Sequence, residues 1–469
     1  MGNFLNTVDG IVWGIPMLVL VMFTGIYYTI RLKNLSFTKL GMALKLMFSR
    51  DKTADGEVTS FGAICTTLAG NLVTGNIVGV ATALVAGGPG AMFWIWMAAG
   101  FGMATKYAEG LLAVKYRTFE DGHALGGPFF YIEKGLGSNW KWMAKLFAFF
   151  GAFACIMGVG TFTQINGVTD ATKAVLDPNN QHIAFGNYSW VVVIVSLIAA
   201  ALIGFVLIGG IKRIASFAEL VVPTMAIVYI VYCVAILICN FKFIPHALYE
   251  IFYGAFNPSA VTGGVIGSIF ICIQKGISRG VFSSETCLGS APIAAASAMT
   301  DSPVKQGLVT MTSNFIDTLV ICSCTGIAII MTGSWNMGLD GVAVTTKAFQ
   351  IGIPGIPPIV ANIVLMLSLV FFAFTTAVGW EYYGERCLEY LFNGNFMACK
   401  VYRVLYTLAI LFGAFISLQA IWTLADIICG LMAFPNIVAL LILSREVARD
   451  TKTYFNDKNH LELADNAAE

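Results

Sequence analysis

The residues with most chemical potential lie in two apolar stretches interrupted by glycine and small polar side chains. One reads Leu68-Ala-Gly-Asn-Leu-Val-Thr-Gly-Asn76 and continues Ile-Val-Gly-Val. The other reads Thr262-Gly-Gly-Val-Ile-Gly-Ser268 and continues Ile-Phe-Ile-Cys-Ile-Gln274-Lys-Gly276. Where a helix unwinds at such residues, the new N-terminus offers free N–H groups and partial positive charge, which suit a carboxylate. The new C-terminus offers free carbonyls, which suit a cation such as Na⁺. Both stretches also carry Gly-x-x-x-Gly, at Gly75/Gly79 and Gly263/Gly267. Taken alone, that spacing means close helix packing.

Other polar groups fall inside apolar segments. Phe371-Phe-Ala-Phe-Thr375-Thr376-Ala-Val-Gly-Trp380 places two adjacent hydroxyls in mid-helix. They offer hard oxygen ligands, or they bond back to carbonyls of their own helix. Thr161, Thr163, Gln164 and Asn166 line a cavity or act as interhelical glue. The intramembrane ionisable groups are Lys106, Glu109, Glu219, Asp317, Glu381 and Asp426. Asp317 is the deepest; it carries a proton or pairs with a polar neighbour.

Several chemistries are excluded. Gly276-Ile-Ser278-Arg-Gly280 fits the Gly-x-Ser-x-Gly pattern of serine hydrolases. That motif needs a strand–turn–helix setting and a histidine partner, and the sequence offers no strand there. There is no Walker A sequence, so no ATP-driven step is indicated. The 11 cysteines are scattered without a Cys-x-x-Cys pair and the 4 histidines lie far apart, so neither a zinc site nor a disulfide frame is expected. No enzymatic cofactor and no enzyme activity are expected. A net charge of +1 leaves no basic footprint for nucleic acid.

Composition fixes the elements that must hold these residues. The chain has 469 residues, 58% hydrophobic and 11% charged, too apolar for a soluble domain of that length. A bilayer core needs roughly 20 apolar residues per helix, and about eleven candidate spans are visible. They are 10–30, 60–85, 89–114, 144–172, 188–209, 214–239, 261–298, 305–332, 358–391, 401–418 and 421–444. The first has no basic residue before it and reads as a retained helix rather than a signal peptide. Basic residues cluster in every second loop: Arg31 to Lys52, Lys115 to Lys145, Lys212 and Arg213, then Lys275, Arg279 and Lys305, then Arg386 to Arg403, then the tail. The positive-inside rule puts the N-terminus outside and the C-terminus in the cytoplasm of a multi-pass cell-membrane protein.

Without the first span, ten remain, and the two interrupted stretches open each set of five. The two sets enter the membrane from opposite sides, which is the inverted-repeat signature of a secondary transporter. The expected fold is therefore an all-α integral membrane protein, a five-plus-five inverted repeat with one extra N-terminal helix. One domain spans residues 1–450, with repeats at 60–239 and 261–444, and 451–469 form a polar cytoplasmic tail. A passive channel is the rival from another class, but channels need a continuous lined pathway, whereas one pair of breaks suits a single occluded site.

An ordered set of motifs adds a family. Thr74-Gly-Asn-Ile-Val-Gly-Val-Ala-Thr-Ala83, Gly87-Gly-Pro-Gly-Ala-Met-Phe-Trp94, Lys106-Tyr-Ala-Glu109, Gly126-Gly-Pro-Phe-Phe-Tyr131, Arg279-Gly-Val-Phe-Ser283, Gly289-Ser-Ala-Pro292 and Phe374-Thr-Thr376 with Trp380 occur in sequence. Together they resemble the alanine or glycine:cation symporter family, the sodium:alanine symporters. The resemblance implies a leucine-transporter-type fold and Na⁺-driven uptake of alanine or glycine, with H⁺ in some members. Serine is a close substrate relative. It also implies that Thr74, Gly75, Asn76, Gly267, Ser268 and Ile271 contact the amino acid. Phe162, Gln164, Gln274 and Trp380 would close the pocket. The sodium ligands it implies are the carbonyls of Gly70, Val73 and Phe372 with Thr375 and Thr376. Two departures stand out: Val73 and Cys287 occupy positions where members usually have glycine. Cys287 matters if the backbone there has positive φ.

Overall fold

The computed structural model describes residues 2–49, 55–72, 74–120, 123–177, 183–185, 188–257, 265–416 and 418–457. The first expected span is two helices, α1 (Gly2–Val12) and α2 (Ile15–Arg31), separated at Trp13 and Gly14, with Pro16 in the first turn of α2. Then follow α3 (Ser60–Asn71), a 3₁₀ turn (Thr74–Asn76), α4 (Val78–Gly87) and α5 (Ala91–Lys115). Next come α6 (Lys141–Met157), α7 (Phe162–Leu176), α8 (Trp190–Leu207), α9 (Gly210–Cys239) and α10 (Ile244–Phe256). The second half holds α11 (Val265–Ser284), α12 (Ala291–Ala295), α13 (Pro303–Asn314), a π-turn (Phe315–Cys322) and α14 (Ser323–Met331). It closes with α15 (Val342–Gly352), α16 (Pro358–Leu391), α17 (Phe396–Gly413) and α18 (Leu418–Asn456). Two small antiparallel pairs decorate the loops, β1 (Thr118–Glu120) with β2 (His123–Leu125) and β3 (Ile183–Phe185) with β4 (Tyr188–Ser189).

Among the described residues, six helical segments are long and apolar enough to cross a membrane: Ser138–Leu176, Trp190–Leu207, Gly210–Cys239, Pro303–Met331, Pro358–Leu391 and Thr423–Asn456. Their outer faces are apolar. On α8 the exposed side chains are Ile194, Leu197, Ile198, Leu202 and Phe205, while Ser196, Ala200 and Ile203 face inward. That polarity is the reverse of a surface helix in water and matches lipid as the solvent. Pro223 inside α9 and Pro435 inside α18 are tolerated because neighbouring helices absorb the backbone disturbance.

Three expectations are corrected. The fourth span, 144–172, is not one helix but α6 and α7, parted at Gly158–Thr161, where the Thr161 hydroxyl caps Ile156 O at 2.7 Å. Of the seventh, Thr262, Gly263 and Gly264 lie outside the described residues, and from Val265 it is continuous through Gly276 and breaks only after Ser284. Its glycines serve packing instead: a Cβ at Gly276 would meet Ala91 O at 2.6 Å and one at Gly280 would meet Ile95 Cα at 3.2 Å, so α11 lies directly on α5. The tenth starts earlier than expected, because the Asn395 side chain caps α17 by accepting from Met397 N at 2.9 Å.

The two ends of the bundle are separated by hydrogen bonds to α18. Trp13 Nε1 donates to Asp426 O at 2.7 Å, and Arg279 pairs with the Asp426 carboxylate at 3.3 Å. Arg31 Nε donates to Ser444 O at 3.2 Å, and Lys115 pairs with Glu446 and Asp450. Positions 426 and 444 are roughly 27 Å apart along a helix. Lys275 and Arg279 therefore belong to the end opposite Arg31, Lys115 and the tail, not with the basic loops. The helix carries them for two more turns before it breaks, so they never reach the loop that the sequence assigned them to.

Candidate functional site

The break in the second span is built first by α3. Its last regular bond is Leu72 N to Leu68 O at 2.7 Å, after which Thr74–Asn76 form a tight turn and Ile77 N bonds Thr74 O at 3.2 Å. Val73, expected to supply a sodium ligand, lies outside the described residues. Helix α16 covers the broken end at backbone contact: a Cβ on Gly379 would stand 3.1 Å from Gly70 N. That approach lets three side chains of α16 reach the carbonyls of α3. Thr376 Oγ1 donates to Leu72 O at 3.2 Å as well as to Phe372 O at 2.8 Å. Trp380 Nε1 donates to Gly70 O at 3.3 Å, and the Tyr383 hydroxyl reaches Thr66 O at 3.4 Å. Thr375 instead bonds back to Phe371 O and Phe372 O, each at 3.0 Å. Gly70, Phe372 and Thr376 are thus brought together with the Leu72 carbonyl, which the sequence reading missed. Thr375 takes the local alternative.

On the other side of the turn sits α7. A Cβ on Gly167 would lie 2.8 Å from Thr74 Cγ2, so Thr74 packs on the bare backbone of that helix. Gln164 Nε2 is anchored to Val159 O at 2.8 Å in the break between α6 and α7. Thr74 Oγ1 and Gln164 Oε1 are both buried with no hydrogen-bond partner among the described residues. A buried oxygen left unpaired costs about 1–3 kcal/mol, which a group donating to Thr74 or Gln164 would recover. Tyr406 ties this break to α16, donating to Gly160 O at 2.9 Å and Ala377 O at 2.6 Å. Asn166 is glue, bonded to Phe162 O and to Gly413 O at 2.8 Å.

The remaining expected contacts are scattered. Phe162 is buried, and its ring lies against Gly413 of α17. Gly75 sits in the 3₁₀ turn. Ile271 and Gln274 are half-buried on α11. Gly267 and Ser268 are in its first turn, and the Ser268 side chain lies outside the described residues. Asn76 is already committed: Nδ2 donates to Asp317 Oδ1, and Oδ1 accepts from Ser283 Oγ at 2.7 Å. Asp317 is held further by Thr318 at 2.7 Å, so it pairs with polar neighbours in the π-turn, and Asn76 with Ser283 ties that turn to both breaks. Asn71 Nδ2 donates to Ser284 O at 3.1 Å, a second bond from one break to the other.

After Ser284 the chain turns through two left-handed residues, Glu285 at φ 51° and Cys287 at φ 67°. The departure from glycine at Cys287 therefore falls where it strains the backbone, by roughly 1–2 kcal/mol. Asn436 of α18 supports the turn, donating to Cys287 O at 2.8 Å and Glu109 Oε1 at 2.7 Å. Cys287→Gly is expected to relieve the strain and, after losing the small buried thiol, to leave thermal stability within about 1 kcal/mol. Cys287→Val, β-branched at the same φ, is expected to lower the thermal midpoint clearly. A melting series of the two purified variants separates these outcomes.

Gly276–Gly280 lies wholly within α11, so the hydrolase-like pattern has no elbow. Among the described residues no group of three or more His, Cys, Asp or Glu could hold a metal. Glu285, Asn436 and the Leu72 carbonyl were not singled out in the sequence. A carboxylate following two serines in an apolar stretch was the one signal available for Glu285.

A family model of the sodium:alanine symporters matches residues 1–467. The sodium/alanine symporter AgcS of Methanococcus maripaludis is 43% identical over 461 residues, covering 96% of this chain and 97% of that protein. An uncharacterized transporter of Haemophilus influenzae is 45% identical over 456 residues, covering 97% and 96%. The probable sodium/glutamine symporter GlnT of Bacillus subtilis is 33% identical, covering 97% and 91%. Among solved structures, MhsT in complex with L-phenylalanine aligns with a TM-score of 0.58 at 14% identity, over 83% of this chain and 89% of that one. That likeness shows a leucine-transporter-type fold.

Proposed function

Because the chain belongs to the sodium:alanine symporter family, we propose that it carries a small neutral amino acid, alanine or glycine with serine as a near relative, into the cell together with Na⁺. It is a multi-pass membrane transporter. One observation carries the finer reading: the two backbone breaks adjoin, joined by Asn71–Ser284 and Asn76–Ser283, with carbonyl and hydroxyl oxygens on one flank and unpaired Thr74 and Gln164 oxygens on the other.

In this reading Na⁺ binds the carbonyls of Gly70, Val73 and Phe372 with the Thr376 hydroxyl, and Thr375 turns in once the ion arrives. The amino acid lies along Thr74, Gly75 and Asn76, with Phe162, Gln164 and Trp380 closing around it. Gly267, Ser268, Ile271 and Gln274 stand roughly 14–24 Å along α11 from Ser283, and so not beside that turn. The chain crosses the membrane in about eleven segments, some of them broken, arranged as a five-plus-five inverted repeat with one extra N-terminal segment, N-terminus outside. Transport proceeds by alternating access, and coupling requires each ligand to favour one state over the other. A sodium–substrate coupling of about 1–3 kcal/mol is expected.

Proton coupling is the second reading, favoured by the buried Asp317 beside Asn76 and by similarity to a putative sodium/proton-dependent alanine carrier of Bacillus subtilis. Uptake of labelled alanine, glycine and serine into proteoliposomes tests both. Accumulation is expected with an inward Na⁺ gradient at fixed pH and is lost with an inert cation. Accumulation driven equally by a proton gradient alone in sodium-free buffer would replace Na⁺ with H⁺.

A further inference from the structure

Three charged side chains lie fully buried beside the second break, and none of them is an expected ligand. Lys106 and Glu109 project from one face of α5, three residues apart, and Glu285 opens the break after α11. The Lys106 Nζ has no hydrogen-bond partner among the described residues. Glu109 is held by Asn436, whose own carbonyl accepts from the Tyr131 hydroxyl. Glu285 is held at both oxygens: Ser290 Oγ donates to Oε2, and Trp380 Nε1 donates to Oε1 at 2.6 Å.

The last of these bonds reaches the cation site. The indole has one N–H and two acceptors, Glu285 Oε1 at 2.6 Å and Gly70 O at 3.3 Å. The shorter, charge-assisted bond wins, so the indole proton points mainly at Glu285. The Gly70 carbonyl then keeps most of its electron density for another partner. Should the carboxylate lose its charge, the same N–H turns to Gly70 and competes with an ion for that oxygen.

We propose that the Glu285 carboxylate holds Trp380 off the Gly70 carbonyl and so sets the affinity for the coupling cation. Glu285 is a positioning residue here, acting through Trp380 and touching neither solute nor ion. The proposal rests on the sodium reading above.

The test is a double-mutant cycle read as the Na⁺ concentration for half-maximal thermal protection of the purified full-length chain, with substrate KM at saturating Na⁺ measured alongside. Glu285→Gln keeps the shape and removes the charge. It is expected to raise the half-saturating Na⁺ concentration by roughly tenfold while KM moves less than about threefold. In a Trp380→Phe background, where no N–H remains to swing, the same substitution is expected to shift it less than about twofold. Equal shifts in both backgrounds would mean the carboxylate acts through space and would overturn the relay, as would an unchanged Na⁺ requirement in Glu285→Gln. If that variant does not fold, the Trp380→Phe variant alone decides: freeing Gly70 must leave Na⁺ affinity equal or tighter, and a clear weakening rejects the proposal. Protection of the unmodified chain that ignores Na⁺ sinks the sodium reading itself, and is seen before any variant is made.

Discussion

Replacing Thr376 with alanine is expected to raise the half-saturating Na⁺ concentration roughly 10- to 100-fold, or about 1.4–2.8 kcal/mol, with the fold intact. The hydroxyl sits between Phe372 O and Leu72 O at 2.8 and 3.2 Å, and so joins the two helices whose carbonyls converge there. An ion in this gap needs oxygens from both helices, and the hydroxyl can lend its own while its hydrogen stays on either carbonyl. Removing it takes away one ligand and about 0.5–1.5 kcal/mol of hydrogen bonding. The side chain is small and the carbonyls keep their helix partners, so the bundle survives. Thr375→Ala is the internal comparison: its bonds run to its own helix, and the effect is expected to be smaller. Uptake at graded Na⁺ concentration measures both. Unaltered sodium dependence in Thr376→Ala would remove that residue from the ion site.

Asp317→Leu is expected to cost about 3–5 kcal/mol and to abolish uptake, whereas Asp317→Asn is expected to lose about half as much stability. The carboxylate accepts from Asn76 Nδ2 and from Thr318 at 2.7 Å, with a longer bond from Ser283 at 3.3 Å, and all four groups are buried. Leucine strands the Asn76 amide and the Thr318 hydroxyl, while Ser283 keeps Asn76 Oδ1 as its acceptor, and Asn76 ends the 3₁₀ turn of the second span. Asparagine keeps one oxygen acceptor, and the Thr318 hydroxyl can rotate to accept from the new amide. Thermal unfolding of the purified variants, with uptake in parallel, gives the ranking. A leucine variant as stable as the parent would show that the Asn76 bond is not what holds the turn.

The two residues show why part of the site was readable and part was not. Thr375 and Thr376 were visible as two hydroxyls side by side in an apolar helix, and their part in an ion site came from the resemblance to the sodium:alanine symporters. Which of the pair faces the partner helix was not visible, because that depends on the rotation of α16 about its axis, set by the contact of Gly379 with Gly70. Asn76 was readable as a polar residue in a glycine-rich break, but its bond to Asp317 spans 241 positions of chain. The break after Ser284 was misplaced for a related reason. Glycine marks both unwinding and close packing, and α11 uses Gly276 and Gly280 to pack on α5. The true break is carried by Glu285 and Cys287, types that seldom take positive φ and so give no signal. The interruption between α6 and α7 was hidden because an apolar run across Gly158–Thr161 keeps its hydropathy whether or not the helix continues.

The sequence by itself determined the solvent, the helical class, the family and the second-span break, because lipid demands long apolar helices and punishes any polar or irregular segment that has no purpose. Tertiary structure alone decided which polar groups meet. Thr376 and Leu72, Trp380 and Glu285, Asn76 and Asp317 are brought together by helix rotation and by backbone approach at single glycines. Those are outcomes of packing several helices at once, and no local pattern of residues records them.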